Sequence, residues 1–307
     1  MSSLHDVIIK AKSEQFGCAF KCDEAMCCHT SFKIGGSVKI MFFPDNADKL
    51  EAVIKLLYEN EIKPLILGRG TNLLVDDKHL DLAVINTLFL SDIPAEVAKL
   101  PDNVIFAGAG SGLNTLAMAA LERGLSGLEF AHGIPGTLGG AIKMNAGAYD
   151  GEMKDIVLKT VAIDNTGKKY TIERNEHIFG YRHSYFSDNS DIILYSYLEL
   201  KKADKRDIKM KMDDFSKRRT SSQPLDMPSA GSIFKRPKKG YAADLIEKAD
   251  LKGYTVGGAQ ISKKHAGFIV NLGNASFNDV RSVINHTQEE VLKLFNVELE
   301  PEIKFVM

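Results

Sequence analysis

The chain has 307 residues, of which 44% are hydrophobic and 26% charged, and its 39 basic and 40 acidic side chains leave a net charge of −1. At roughly 100–200 residues per domain, this length predicts two or three domains with ordinary cores, and the charge balance excludes a global nucleic-acid or membrane-binding surface. No apolar run approaches the roughly 18 residues of a membrane span, and the N-terminus MSSLHDVIIKAKSEQ lacks a basic start and a long apolar core, so a cytoplasmic protein is expected.

A short amphipathic helix is predicted over Ser3–Phe16. It leads into a segment carrying Cys18, Cys22, Cys27 and Cys28, whose spacing matches no zinc motif; reduced thiols and no metal are expected. Val38–Phe43 reads as a strand. Leu50, Val53, Ile54 and Leu57 recur at helical spacing, which predicts a helix over Asp48–Asn60 that Pro64 ends. Pro64–Gly68, Leu73–Val75 and Leu82–Asn86 read as strands, making a βαβ-type unit with the loop Gly68-Arg-Gly-Thr-Asn72 inside it. Val104–Ala107 is a further strand. It enters Gly108-Ala-Gly-Ser-Gly112 and a helix with Leu113, Leu116, Ala117, Ala120 and Leu121 on one face, and Gly124 suits the position just past its end.

Gly124–Gly151 then places eight of the 25 glycines in 28 residues. Glycine admits positive φ and close approach of a backbone or ligand, at about 0.5–1 kcal/mol each in regular elements. Either main-chain N–H groups cradle a phosphate-bearing cofactor there, or the segment is a set of tight turns. Beyond it Asp155–Asp164, Lys168–Ile172 and Ile192–Leu200 read as strands, the first two joined by a turn at Asn165-Thr-Gly167, with a domain closing near Leu200. Asp204–Arg219 is a charged helix and Ser221–Pro228 a polar link. Tyr241–Ala249 and Ser276–Phe295 read as helices, the latter with Val280, Val283, Ile284, Val291, Leu294 and Phe295 inward; His265–Asn271 and Glu298–Val306 read as strands. The pattern is α/β or α+β with several sheets.

Two motifs tempt and fail. Gly108-x-Gly110-x-Gly112 sits between strand and helix with Glu129 about 20 residues on, but its third glycine comes one residue too early for a dinucleotide fingerprint. No P-loop occurs either. Ser232-Ile-Phe-Lys235 and Ser187-Asp-Asn189 are β-lactamase-like sequences in the wrong order, without a K-T-G, which leaves covalent acyl transfer as a runner-up. Three polar clusters remain. In Phe179–Phe186, Arg182 sits among aromatics and its planar fork suits a carboxylate or a surface salt bridge. Pro228–Pro237 sets Gly231 beside Ser232, and Lys235, Arg236, Lys238 and Lys239 form a positive patch suited to a diphosphate or to solvent. Glu298, Glu300 and Glu302 alternate near the C-terminus.

These clusters and the glycine segment together carry a resemblance. HTSFKIGG (29–36), LGRGTNLLV (67–75), GIPGTLGGAIKMNAGAYDGE (133–152), FGYRHSYF (179–186), PSAGSIFK (228–235), GYTVGGAQISKKHAGFIVN (253–271) and LEPEIK (299–304) come in the order found in the UDP-N-acetylenolpyruvoylglucosamine reductases, the MurB family of peptidoglycan synthesis, which the chain resembles in its shorter structural class. The resemblance implies an α+β protein of the vanillyl-alcohol-oxidase (PCMH) type. Two α/β subdomains, about 1–100 and 101–203, would bind FAD without a covalent bond, a third domain, 204–307, would bind substrate, and the tail from about 300 would return to the first. It implies that NADPH reduces FAD, that the UDP-sugar then replaces it, and that hydride reaches the methylene carbon of the enolpyruvyl group to give UDP-N-acetylmuramate.

Carried over residue by residue, the resemblance places FAD against Gly68, Arg69, Gly70, Thr71 and Asn72, and against Gly133, Ile134, Pro135, Gly136, Gly139, Gly140, Ala141, Asn145 and Ala146. Arg182 and Glu302 would stabilise charge beside the substrate carboxylate, Glu302 as a neutral acid, and Ser232 would supply a proton. Tyr181, Arg219, Lys235, Tyr254, Gln260 and His265 would contact substrate. Arg236 stands where the family has asparagine and is expected on phosphate; Arg69 and Thr71 replace the commoner Gly and Ser. No nucleic acid, membrane insertion or metal is expected, and a monomer is favoured. A second flavin reading, an oxidase of a small alcohol, stands beside it.

Overall fold

The computed structural model describes residues 4–13, 16–90 and 100–307. The chain divides into two compact units: residues 1–22, 39–68 and 81–217 form the first, and residues 23–38, 69–80 and 218–307 the second. Each takes its shape from a few strongly periodic segments.

In the first unit, α1 runs Leu4–Ala11, with Val7, Ile8 and Ala11 buried. It is shorter than the expected helix, whose Ser3, Glu14 and Gln15 lie outside the described residues. α2 runs Ala47–Glu59 and buries Leu50, Val53, Ile54 and Leu57, the face its spacing predicts. Its start is set by Asn46, whose side chain accepts the Lys49 N–H at 2.9 Å. The helix packs with a four-stranded sheet in the order Ala19–Ala25, Ser37–Phe43, Leu80–Asn86, Leu65–Leu67, the last two parallel. A second sheet, in the order Lys169–Glu173, Val157–Ile163, Ile192–Glu199, Val104–Gly108, is antiparallel throughout. α3, Leu113–Glu122, follows it, and Gly124 sits past the helix end at φ +65°, a conformation that favours glycine. Within the glycine segment lies α4, Leu138–Lys143, which the sequence reading lacks.

α5, Lys205–Ser222, begins in the first unit and ends in the second. The second unit has an antiparallel sheet in the order Ser229–Ser232, Phe268–Asn271, Ala259–Ile261, Thr255–Val256. Against it pack α6, Ala242–Lys248, and α7, Phe277–Phe295, in one apolar cluster. Two expectations fail here. Leu294, expected inward, is 53% exposed. The strand expected over Glu298–Val306 shrinks to Lys304–Val306, parallel to Leu73–Val75, because Pro301 has no N–H to continue a ladder; before it only an isolated bridge joins Pro301 to Phe234.

α7 opens with a capping box: the Ser276 hydroxyl accepts the Asp279 N–H at 3.1 Å and the Asp279 carboxylate accepts the Ser276 N–H at 2.9 Å. That backbone bond, with one from the Gly258 N–H at 3.2 Å, holds the Asp279 pKa below its ordinary 3.8. Ser276→Ala should therefore cost about 1 kcal/mol by urea unfolding. Asp279 contributes stability above its unfolded pKa and loses it as pH falls through the lower folded value. Asp279→Asn should therefore flatten the acid limb of the stability profile, and an unchanged limb would count against the capping role.

Candidate cofactor and active site

Glycines close in sequence predict backbones closer in space than a side chain permits, and the first unit shows where. Gly68 follows the strand Leu65–Leu67, and a Cβ there would lie 2.5 Å from Thr137 Oγ1. At Gly110 a Cβ would meet the Leu88 carbonyl oxygen at 2.4 Å. The Leu138 and Gly139 N–H groups donate to the Ser111 and Ala109 carbonyls, both at 2.9 Å, and the Leu113 N–H donates to Gly136 at 3.2 Å. Gly68, the Gly108–Gly112 loop and the Gly136–Gly140 stretch thus close into one cradle. The glycines that fail as a dinucleotide fingerprint are part of it.

Thr137 caps α4, its hydroxyl accepting the Gly140 N–H at 3.4 Å, and its carbonyl accepts the Ala141 N–H at 2.9 Å. The amides of Gly139, Gly140 and Ala141 are therefore engaged within the protein and are not spare donors, and at Gly139 a Cβ would lie only 3.0 Å from Ala109 Cβ. Asn86 Nδ2 and His132 Nδ1 are buried without a hydrogen-bond partner among the described residues. Such an atom costs about 1–3 kcal/mol unless a ligand satisfies it. Asn86 pairs with Leu67 in the sheet and precedes Leu88 in the cradle; His132 lies in the glycine segment. A glycine-lined cradle with unsatisfied buried polar atoms fits a polar, phosphate-bearing group such as FAD. Asn86, His132 and Thr137 were not singled out in the sequence, and no local pattern marks them.

Arg182 lies at the tip of a tight turn in the same unit. The Gly180 N–H donates to the His183 carbonyl at 3.0 Å and the His183 N–H returns to Gly180 at 3.3 Å. Arg182 has φ +55°, an uncommon conformation for a non-glycine residue that directs attention to function. Its guanidinium lies 5.2 Å from the centre of the exposed Tyr181 ring. Before the turn, His177 is fully buried and stacked on Phe179 at 4.9 Å. Burial pushes its pKa down. Its Nδ1 meets the Glu173 carbonyl at 2.9 Å and its Nε2 meets the Thr160 hydroxyl at 2.8 Å, which suits a neutral ring with Nδ1 protonated.

In the second unit Ser232 and Glu302 come together. Ser232 is exposed at the end of its strand, opposite Phe268, and follows Gly231 at φ +77°. The Glu302 N–H donates to the Ile233 carbonyl at 2.7 Å, and the Lys235 N–H donates to the Glu300 carbonyl at 2.9 Å. The Glu302 carbonyl accepts from Asn72 Nδ2 at 3.1 Å, and the Lys304 N–H donates to the Asn72 carbonyl at 3.0 Å. Asn72 therefore ties the loop of Arg69, Gly70 and Thr71 to the backbone of Glu302. Gly70 accepts the Ser31 N–H at 3.1 Å, and the Ser31 hydroxyl donates to the Ser229 carbonyl at 2.6 Å. Gly68, Gly133, Ile134, Pro135, Gly136, Asn145, Ala146 and Arg182 belong to the first unit.

The residues expected on substrate, apart from Tyr181, lie in the second unit. Lys235 pairs with Glu300, and the Arg236 guanidinium stacks 4.3 Å from the Tyr241 ring centre. Tyr254 stacks on His286 at 4.2 Å, and Gln260 donates to the Thr255 hydroxyl at 2.9 Å. His265 Nδ1 accepts the Gly267 N–H at 3.1 Å, which leaves Nε2 as the protonated nitrogen, and burial, aided by the Lys252 charge, lowers its pKa. Arg219 lies in the last turn of α5.

Known proteins resemble the chain along most of its length. Residues 38–173 match the model of an FAD binding domain, and residues 223–306 match that of the UDP-N-acetylenolpyruvoylglucosamine reductase C-terminal domain. The chain is 46% identical over 284 residues to the UDP-N-acetylenolpyruvoylglucosamine reductase of Caldanaerobacter subterraneus subsp. tengcongensis, covering 92% of each chain. It is also 46% identical to that of Thermotoga maritima, over 92% of this chain and 96% of the relative. Among solved structures, the reductase of Thermus caldophilus superposes with a TM-score of 0.77 at 31% identity, over 94% of this chain and 99% of that one. The fold is thus the α+β, FAD-binding type expected from the sequence.

The cradle makes a direct prediction. Gly68→Val pushes side-chain atoms into Thr137, an overpacking that costs about 1–3 kcal/mol. It should purify with less flavin, measured as visible flavin absorbance relative to protein, and full occupancy would show that Gly68 lies outside the cofactor site.

Proposed function

The chain belongs to the family of UDP-N-acetylenolpyruvoylglucosamine reductases, and we propose that Arg182, Ser232 and Glu302 carry the family's reaction in it. It is an FAD-dependent oxidoreductase that reduces the enolpyruvyl group of UDP-N-acetylenolpyruvoylglucosamine with NADPH, a step of peptidoglycan synthesis. FAD, when bound, supplies the hydride carrier between the two substrates. Gly68–Asn72, Gly133, Gly136, Gly139 and their neighbours are the residues that would hold it.

The observation that supports the assignment is the 2.7 Å bond from the Glu302 N–H to the carbonyl of Ile233, the residue after Ser232. Hydride addition to the enolpyruvyl double bond leaves negative charge beside the carboxylate and requires a proton at the adjacent carbon. Ser232, exposed beside a glycine that keeps its flank open, supplies that proton. Glu302, whose main chain is hydrogen-bonded through both its N–H and its carbonyl, donates a hydrogen bond to the developing charge, as Arg182 does from its turn. Preorganised donors of this kind are usually the largest catalytic contribution. Lys235 and Arg236 neutralise the diphosphate, Lys235 exchanging Glu300 for phosphate, and His265 offers its Nε2–H. Tyr181, Arg219, Tyr254 and Gln260 complete the substrate contacts.

The same reading divides the chain into two flavin-binding subdomains, 1–100 and 101–203, and a substrate-binding domain, 204–307. Three hydrophobic clusters support it, one built mainly from residues before 100, one from 105–212 and one dominated by residues after 230. It assigns the protein to the cytoplasm as a monomer serving cell-wall growth, cell shape and division. The four cysteines are free thiols, and no helix among the described residues is long and apolar enough to cross a membrane.

Ser232→Ala should leave flavin reduction by NADPH intact and slow reoxidation by the enolpyruvyl substrate by roughly 10²–10⁴-fold, the range of general acid catalysis. Rapid mixing that finds both half-reactions at the wild-type rate would remove Ser232 from the mechanism. Arg236→Ala should weaken binding of the UDP-sugar by about tenfold, the loss of one charge-assisted contact of 1.4 kcal/mol or more; an unchanged dissociation constant would assign Arg236 to packing against Tyr241.

A further inference from the structure

Asn145 lies in the glycine segment, fully buried and at φ +42°. A carboxamide has two N–H donors and an acceptor oxygen, and this one uses all three groups. Nδ2 donates to Glu152 Oε2 at 2.6 Å and to the Gly180 carbonyl at 2.9 Å, and Oδ1 accepts the Lys154 N–H at 3.0 Å. The side chain thus has no N–H left for a cofactor. Gly180 is the first residue of the turn that ends at His183 and carries Arg182 on its tip.

Arg182 at φ +55° is conformationally strained, and such strain persists only where the surroundings hold it. The far side of the turn is held as well. His183 Nε2 meets Asp188 at 2.9 Å, the Ser184 and Ser187 hydroxyls both donate to the Lys143 carbonyl at 2.9 Å, and Lys143 Nζ donates to the Phe186 carbonyl at 2.5 Å. Asn145 is the grip on the near side, strengthened by the Glu152 carboxylate that it also donates to.

We propose that Asn145 is a positioning residue for the reduction step, fixing the Arg182 turn through the Gly180 carbonyl. The proposal rests on the reading that Arg182 serves the reaction. It gives one residue of the glycine segment a part in catalysis without contact with substrate. Misplacement of a catalytic group by about 1 Å can cost on the order of 10²-fold in rate, so a lost grip should be visible in turnover.

The test is a double-mutant cycle on enzyme saturated with FAD, following each half-reaction by rapid mixing. Asn145→Gly deletes the carboxamide and leaves the positive φ unstrained; Asn145→Asp keeps the shape, removes the donors, and serves where Asn145→Gly does not fold. Either should slow reoxidation by substrate by about 10–100-fold and leave reduction by NADPH nearly unchanged. In an Arg182→Ala background the same substitution should add almost nothing, because its effect passes through Arg182. Hydrogen exchange at the Gly180 and His183 amides should also speed up. A loss as large in the Arg182→Ala background as in wild type would overturn the proposal while leaving the role of Arg182 intact. An Arg182→Ala enzyme reoxidised at the wild-type rate would overturn both.

Discussion

Main chain lying against main chain more closely than a Cβ permits is the constraint on which the first unit depends. At Gly110 any larger residue would put a carbon 2.4 Å from the Leu88 carbonyl oxygen, and at Gly68 one would lie 2.5 Å from the Thr137 hydroxyl, distances that real Cβ contacts do not reach. The glycines cost conformational entropy, and what offsets it is a set of cross-links. Leu138 and Gly139 bond to Ser111 and Ala109, and Leu113 bonds to Gly136. Beneath them Leu138, Ala141 and Ile142 are buried in the apolar cluster that also holds Ala109, Leu113 and Phe130. The cradle is rigid because its backbone and its core come from the same residues.

The second unit meets a different demand, the fixing of the Glu302 main chain at both its N–H and its carbonyl. Pro301 interrupts strand pairing just before Glu302, which brings that residue out of a regular ladder and into a custom one. Its N–H reaches Ile233, one residue from Ser232, and its carbonyl receives Asn72, one residue from Thr71. Ser232, Glu302 and the Arg69–Asn72 loop thereby share one backbone frame. The same frame explains how residues separated by more than 200 positions in sequence, Asn72 and Glu302, keep a fixed separation.

Much of this was legible from the sequence where periodicity is strong. α2 and α7 follow from apolar residues at helical spacing, and α3 ends at Gly124 as its composition suggests. Ala19–Ala25 was not legible as a strand because AFKCDEA has no β-branched residue and no fully buried position. α4 was hidden because two glycines in six residues argue against a helix, yet Thr137 caps it and three buried side chains hold it. Leu294 continues the apolar stripe of α7 in sequence but is exposed, while Phe295 beside it packs against the core. Arg182, Ser232 and Glu302 are named by the motifs that carry the resemblance, whereas the bond that joins Glu302 to Ile233, next to Ser232, is long-range. Asn86 and His132 show themselves only as buried atoms without partners.

The Arg182 turn and the cradle are built as one body in the first unit, and the reason is economy of hydrogen bonding. A helix leaves its last carbonyls unpaired, and α4, at 6 residues under two turns long, has few internal bonds to set against them. A loop containing a strained arginine needs acceptors and donors near its ends. Each supplies what the other lacks: the Lys143 carbonyl at the end of α4 accepts Ser184 and Ser187, Lys143 Nζ caps Phe186, and Asn145, two residues on, caps Gly180. Shifting α4 therefore moves the turn. A displacement of α4 passes through these bonds to the turn that carries Arg182.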